Sequence, residues 1–422
     1  MKKILFIVTE IDSANGICTQ AIMNKMIEQN IEVYCVTNKE CNFNDSYRKQ
    51  NVNYFTVKPR LVYRISSVLK HKKMNSLKYN LLKIIFFILN KIKMLISLPT
   101  WPLISPMYSN RIYELAKQVC KEYEIDCVIP IYTQIDTLIA ANKIKKENPN
   151  IKYVPYFLDS LSGGHGPRVC SSNWVIRRGL KWENKLLQNA DKIIVMSSSR
   201  KHHEKHSKLK KYYSKFVYLD IPLLDLNLID KVNCKKKYLD ANRINIVYVG
   251  SLPVGIRDPR FILDLVEYLD DRYQLYFIGE KNCNYLNLKS KENNNIHIIG
   301  KCDRSIALQY EKEATILLNI GNNLENMVPS KIFEYISMKK PIVSTYPIEN
   351  EPSVFYLKKY HPCLLLDEKS NDFVAIQNQL DEFVKEIFNF KEKNIDESFF
   401  YKNTPEAFIY EIEKLYKKGV KM

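Results

Sequence analysis

The sequence predicts an α/β protein built from two doubly wound parallel domains, and three observations predict it. The chain has 422 residues, too many for one ordinary core and suited to two domains of roughly 150–200 residues each. Short apolar runs of buried-strand length alternate with segments of helical periodicity, and this βα rhythm occurs in both halves. A glycine, Gly16, sits where the first strand hands over to the first helix. Open α/β sheets bind ligands at that end of their strands.

The elements follow in order. ILFIV, from Ile4, is a continuous apolar run and reads as a buried strand. TEIDSANG is polar and ends in Asn-Gly, a turn signal. The next segment places Ile17, Ala21, Met26 and Ile27 at roughly helical spacing, and IEVYCVT is the second strand. This is a βαβ unit, the seed of a parallel sheet. No GxGxxG follows the first strand, so a dinucleotide fingerprint is not supported. Further on, CVIPIY, YVPYFL, KIIVMS and FVYLDIPLL read as strands, interleaved with helices at IDTLIAANKIKKE and LKWENKLLQNA. The chain turns polar from Asp240 to Arg243, and a second series begins. Its strands are INIVYVG, YQLYFIG, IHIIG, TILLNIG and PIVST; its helices include FILDLVEYL, RSIALQYEKE and SKIFEYISM. A last amphipathic helix starts near Thr404. The expected division is 1–238, 239–403 and a terminal helix over 404–422.

Hydrophobic residues make up 46% of the chain, enough for sizeable cores. The ten cysteines are scattered with no CxxC pair, so neither structural zinc nor a disulfide framework is expected, and a reduced cytoplasmic setting fits. The HHEKH run from His202 to His206 lacks an HExxH pattern and reads as a solvated helix end. At the N-terminus the apolar run is short, and Glu10 follows without a small-residue cleavage site. It reads as a buried strand rather than a signal peptide.

The net charge of +18 is uneven: from Tyr47 to Tyr113 there is no Asp or Glu. A basic region of this kind seeks an anionic partner. Residues 60–105 form an insertion whose stretch LLKIIFFILNKIKMLISL is apolar but carries Lys83, Asn90, Lys91 and Lys93. A spanning helix costs roughly 2.5–3.5 kcal/mol for each central Lys, which an amphipathic helix lying on a membrane surface avoids. A helix packed on the N-terminal domain is the alternative. The stretch lacks aromatic interleaving with glycine, and no nucleic-acid partner is expected.

The segment MVPSKIFEY, Met327 to Tyr335, carries the strongest chemical signal. Pro329 biases the preceding residue to an extended form, and Ser330 is a favoured N-cap. A helix start offers backbone N–H groups and a positive dipole end to a diphosphate. Lys331 in the first turn is unfavourable unless an anion is near. Glu334, four residues after Ser330, shares its helical face and can accept hydrogen bonds from two ribose hydroxyls. The alternative is an ordinary capped helix with Glu334 solvated.

This segment resembles the C-terminal motif of GT-B glycosyltransferases, particularly the large retaining group known as family 4. That group carries a Glu, seven residues, and a second Glu. Here the second is Glu334 and the first position is Asn326. The resemblance implies that Glu334 holds the nucleotide ribose and that Asn326 meets the donor sugar. IVYVGSLPVGIRDPR resembles the family's strand–Gly–Arg–loop–Lys start, with Gly250, Ser251 at the Arg position and Arg257 at the Lys position. Arg257 is thereby implied as a diphosphate ligand; a surface Arg is the alternative. SANG resembles the Gly-rich loop after the first strand, with Gly16 present and Asn15 at the usual second Gly. FLDSLSGGHG places Asp159 where the family carries a polar active-site residue, often His, with His165 as an alternative.

The resemblance implies two Rossmann-like domains facing across a cleft. It implies transfer of a sugar, with retention and without a required metal, from a nucleotide-diphospho-sugar held by the C-terminal domain. The acceptor side, a saccharide or lipid-linked saccharide with Asn15 and His165 near it, would lie on the N-terminal domain. The basic insertion would place the protein peripherally on the inner face of the cell membrane.

Overall fold

The computed structural model describes residues 2–11, 13–38, 51–71, 76–164, 166–167, 169–233, 236–279, 283–325, 328–388 and 395–417. The chain divides into two compact units. One comprises Met1–Pro222 with Pro405–Met422, the other Leu223–Thr404.

The first unit is built on a parallel sheet of β1 (Lys3–Ile7), β2 (Glu32–Asn38), β3 (Asn53–Val57), β4 (Cys127–Pro130) and β5 (Lys152–Tyr153), in the order β3-β2-β1-β4-β5. A second set, β6 (Tyr156–Phe157), β7 (Ile193–Met196) and β8 (Phe216–Leu219), pairs in parallel in the order β6-β7-β8. The run YVPYFL, expected as one strand, is split between the two sets around Pro155. Proline has no N–H to give a ladder. β1 from Ile4 onward and all of β4 are buried because helices cover both faces of the sheet. The helices α1 (Ala14–Glu28), α4 (Pro106–Glu122), α5 (Ile135–Glu147), α6 (Ser172–Leu187) and α7 (Arg200–His206) belong to this unit; α2 and α3 are described below. The terminal helix Pro405–Lys417 also packs here. Its Ala407, Phe408, Ile409 and Ile412 join the core formed by Ile4, Phe6 and Met23. Lys192 Nζ, 2.7 Å from a Glu411 carboxylate oxygen, ties it down at the rim.

The insertion is a helical hairpin, α2 (Leu61–His71) and α3 (Ser76–Thr100). Both of its ends are tied to Asp136, which is fully buried in α5. That carboxylate pairs with Arg60, accepts from Ser105 N–H (3.1 Å) and accepts from Ser109 Oγ (2.7 Å). Arg178 adds a bond to the carbonyl of Trp101. Along α3, Leu77, Leu81, Ile84, Phe87, Ile88 and Leu95 are exposed. Among the described residues no helix is long and apolar enough to cross a membrane.

The second unit carries six parallel strands: β9 (Ile244–Val249), β10 (Tyr273–Ile278), β11 (Ile296–Ile298), β12 (Ile316–Ile320), β13 (Ile342–Tyr346) and β14 (Cys363–Asp367). Their order, β11-β10-β9-β12-β13-β14, is the doubly wound arrangement with its switch point between β9 and β12. β14 and the helix Phe373–Phe388 complete one flank; the sequence reading had assigned neither. Residues 223–238, assigned from sequence to the first domain, belong to this unit. Asp225 N–H donates to Ser337 Oγ (2.9 Å), and Tyr238 N–H donates to Glu313 (2.8 Å).

Candidate functional site

In the second unit, chemistry-bearing side chains gather at the switch point. β9 and β12 pair only at Ile246–Ile316 and Val247–Leu317. Beyond that they part, and the buried Tyr335 hydroxyl fills the gap, accepting from Val249 N–H at 2.9 Å. This pins the helix Lys331–Ser337 over the carboxyl end of β9. Gly250 follows that strand, and its N–H donates to the Ile278 carbonyl (2.9 Å). The facing Gly279 has φ +152°, and a Cβ there would lie 1.8 Å from the Gly250 carbonyl oxygen. Only glycine lets these two strand ends come so close.

Ser251 is exposed just beyond, with its carbonyl accepting from Tyr248 Oη (2.8 Å). Arg257 reaches back across the switch point and donates from Nε to Asn322 Oδ1 (2.7 Å). Asn322 lies two residues past the end of β12, and its N–H donates to Glu351 (3.1 Å). Asn323 N–H donates to the Ile256 carbonyl (2.8 Å), so the loops after β9 and β12 are joined by backbone as well. Gly250, Ser251 and Arg257 therefore line one crevice edge, with Pro329, Ser330, Lys331 and Glu334 placed at the start of the helix above it.

That helix start differs from expectation in two ways. Ser330 stands at the N-cap position but with a helical backbone (φ −61°, ψ −23°), and its side chain makes no capping bond. The chain enters through tight i→i+3 bonds instead, Ile332 to Pro329 and Phe333 to Ser330. Glu334 is buried at 4% exposure, which excludes the alternative of an ordinary helix with a solvated Glu334. It pairs with Lys331 and with Arg304 of the helix Arg304–Glu313. The anion that makes Lys331 tolerable in a first turn is thus already present in the protein. A second one, Glu311, lies 2.8 Å from Lys331 Nζ and is itself fully buried.

The electrostatics of this group are unequal. Burial works to raise the Glu334 carboxyl, but Lys331 and Arg304 outweigh it and hold the group below the ordinary carboxylate range. Burial and the neighbouring Glu334 charge both push Glu311 up. Arg304, Glu311, Asn322 and Tyr335 were missed by the sequence reading. One signal was available for Glu311. Ala307, Tyr310, Glu311 and Ala314 repeat at helical spacing, which puts a carboxyl on an otherwise buried face.

In the first unit, Asn15 Nδ2 donates to Asp159 Oδ2 at 3.2 Å, which joins the start of α1 to the loop after β6. Asp159 is exposed. Gly16 lies inside α1, and the reason for a glycine there is internal. A Cβ would sit 2.1 Å from the Ile11 carbonyl oxygen, so the close approach is to its own chain. His165 and Asn326 lie outside the described residues.

The HHEKH run is solvated only in part: Glu204 and Lys205 are exposed, but His202 and His203 are not. His203 is 2% exposed, and His202 Nε2 lies 2.8 Å from Ser162 Oγ, beneath the Ser160–Gly164 loop. Burial lowers His202 to about 4 and His203 to about 3, so both are neutral near pH 7. Glu183 supports the same loop by accepting from Ser162 N–H (2.9 Å), and burial pushes its carboxyl up to about 7. A cavity of about 570 Å³ opens beside it, lined in part by Ser162, Gly163, Val175 and His202. Among the described residues no group of three His, Cys, Asp or Glu is placed to hold a metal ion.

No protein-family model matches the chain, and no curated protein matches it. Solved structures do. The Anabaena protein HepE in complex with UDP is 12% identical, with a TM-score of 0.62 over 99% of this chain and 100% of its own. A glycosyltransferase from Rickettsia africae is 14% identical, with a TM-score of 0.64 over 99% and 98%. A putative UDP-N-acetylglucosamine 2-epimerase from Listeria monocytogenes is 10% identical, with a TM-score of 0.57 over 99% and 98%. At such identities the likeness concerns architecture. With two doubly wound units of the strand order described above, the chain has the GT-B fold, two Rossmann-like domains in one polypeptide.

Proposed function

We propose that this protein is a glycosyltransferase. It moves a sugar, with retention, from a nucleotide-diphospho-sugar to a saccharide or lipid-linked saccharide in cell-surface polysaccharide or glycolipid assembly. The observation that carries the reading is the convergence of Ser251, Arg257, Lys331 and Glu334 at the switch point of the second unit. Cations and backbone N–H groups at such a place suit a diphosphate, and a carboxylate beside them suits a ribose. Lys331 and Arg257 would stabilise charge as it develops on the leaving diphosphate, which needs no metal. The UDP bound by HepE supports a nucleotide ligand for this fold. Acceptor recognition is assigned to the first unit, around Asn15 and Asp159.

Titration of UDP-, GDP- and ADP-sugars by thermal shift tests the donor site. Stabilisation by one nucleotide class is expected, and none by any of them would sink it. The Listeria structure favours one second reading, a nucleotide-sugar epimerase. Release of free nucleoside diphosphate only when an acceptor is added marks a transferase.

The same reading places the protein on an anionic membrane at the cytoplasmic face. Its support is the apolar face of α3, from Leu77 to Leu95, together with exposed Lys78, Lys83 and Lys91 in a stretch without acids. Flotation should recover the protein with vesicles containing phosphatidylglycerol and less of it at high salt. Phe87→Glu should release it. Absence of binding at low salt would remove the membrane from the proposal.

A further inference from the structure

The buried charge group around Glu334 contains one member that a diphosphate or ribose contact does not account for. Glu311 is fully buried, and neither of its carboxylate oxygens has a hydrogen-bond partner of good geometry. Several titratable groups face it. Lys331 and Glu334 face it from the helix above, with Tyr335 of that helix close by. Arg304 pairs with Glu334 from the helix that carries Glu311 itself, and Cys302 precedes that helix.

With both carboxyls ionised, two acids and two bases cancel. A fully ionised group then offers an incoming diphosphate no net attraction. With Glu311 protonated the group carries one net positive charge. Burial without a good hydrogen bond favours that neutral form. Glu334 is then left as the acceptor, and Lys331 is released from one of its two counter-charges.

We propose that Glu311 is a positioning residue of the donor site: it holds Lys331 and Glu334 in register, and at a pH where it is ionised in the free protein it takes up a proton from solvent when a nucleoside diphosphate binds. The proposal rests on the donor-site reading above. The balance is simple: anion arrival adds negative charge beside Lys331, and the Glu311 carboxylate gains the proton that keeps the group cationic. Linkage then requires affinity for the anion to fall as pH rises and Glu311 ionises.

The probe is UDP, with binding to the full chain measured by calorimetry in two buffers of different ionisation enthalpy at about pH 8. Wild type should show net proton uptake, and its affinity should fall by about tenfold for each pH unit at most once Glu311 ionises. Glu311→Gln, which keeps the shape and cannot ionise, should show no uptake and a flat profile above neutrality. A wild type that binds UDP with no proton uptake and the same profile as Glu311→Gln overturns the proposal. Failure of wild type to bind UDP, GDP and ADP alike instead overturns the donor-site reading; binding of GDP or ADP but not UDP moves the same measurement to that nucleotide. Circular dichroism and thermal midpoints of both proteins establish that folding is not the variable. A merely structural Glu311 would shift the midpoint without changing the proton count.

Discussion

The two strand-end crevices of this protein are tied by different chemistry, an ionic group in the second unit and hydrogen bonds from uncharged side chains in the first. In the second unit, the loops after β9 and β12 are tied to each other by Arg257–Asn322 and Asn323–Ile256, and the helix above is locked by Tyr335 and by two buried carboxylates paired with the half-buried Lys331 and Arg304. In the first unit, the loops after β1 and β4 are joined by Thr9 Oγ1–Thr133 Oγ1 (2.8 Å) and by Gln134 Nε2 donating to Glu10 (3.0 Å), and Asn15–Asp159 lies at the rim with Asp159 exposed. The backbone there is shaped by Gly16 fitting under Ile11, an arrangement internal to the chain. A site that must receive one ligand chemistry gains from being pre-organised, because little ordering remains to be done on binding. A site open on its surface can change side chains without disturbing its support.

The largest effect should come from breaking the tied crevice. Glu334→Ala leaves Lys331 and Arg304 facing Glu311 alone. Removing one partner of a buried ionic group costs about 3–5 kcal/mol. Denaturant unfolding should register that loss, and UDP affinity should fall by more than about tenfold, the factor that about 1.4 kcal/mol supplies. An unaltered thermal midpoint with unaltered UDP binding would show that Glu334 is neither structural nor part of the site. The sign with pH can be stated too. Because Glu334 is held below its ordinary range, its contribution to stability is present above the unfolded carboxylate pKa and is lost as pH falls through the folded value. Glu311, raised by burial, works the other way: its contribution is complete at acid pH and is lost as pH rises through its folded value.

The same contrast explains what could be read from the sequence. β1 and β9 were legible because a strand buried on both faces is a continuous apolar run. β5 and β6 were run together because Pro155 sits inside an apolar stretch whose pairing partners lie far away in sequence. At the switch point the positions of Gly250, Arg257, Lys331 and Glu334 were legible, since local spacing sets them on a strand end and a helix start. Their partners were not. Arg304 and Glu311 arrive from a separate helix, and Asn322 from the far side of the sheet switch. Local pattern carries no information about which distant carboxyl will neutralise a lysine. Ser330 shows the limit in the other direction. Its residue type suits a cap, yet the tight turn through Pro329 gives it a helical backbone that leaves the hydroxyl uncommitted. His202 and His203 were misread for a related reason: five polar residues in a row look solvated until a glycine-rich loop folds over them.

The smallest structural effect, and the sharpest test of the comparison, belongs to the open crevice. Asp159→Asn changes one exposed carboxylate that shares a 3.2 Å bond with Asn15. Surface changes of this type stay within about 0.5 kcal/mol of wild-type stability. Its stability and UDP affinity should therefore match wild type. If Asp159 faces the reacting groups, turnover of the nucleotide-sugar identified by thermal shift should nonetheless fall, by a factor of about 10²–10⁴ if it moves a proton and by less if it only orients the acceptor. Stability and turnover would then separate in the first unit and fall together in the second. Equal turnover in wild type and Asp159→Asn would leave Asp159 as a loop residue that only braces α1, and the polar group acting on the acceptor would have to be sought elsewhere in the first unit.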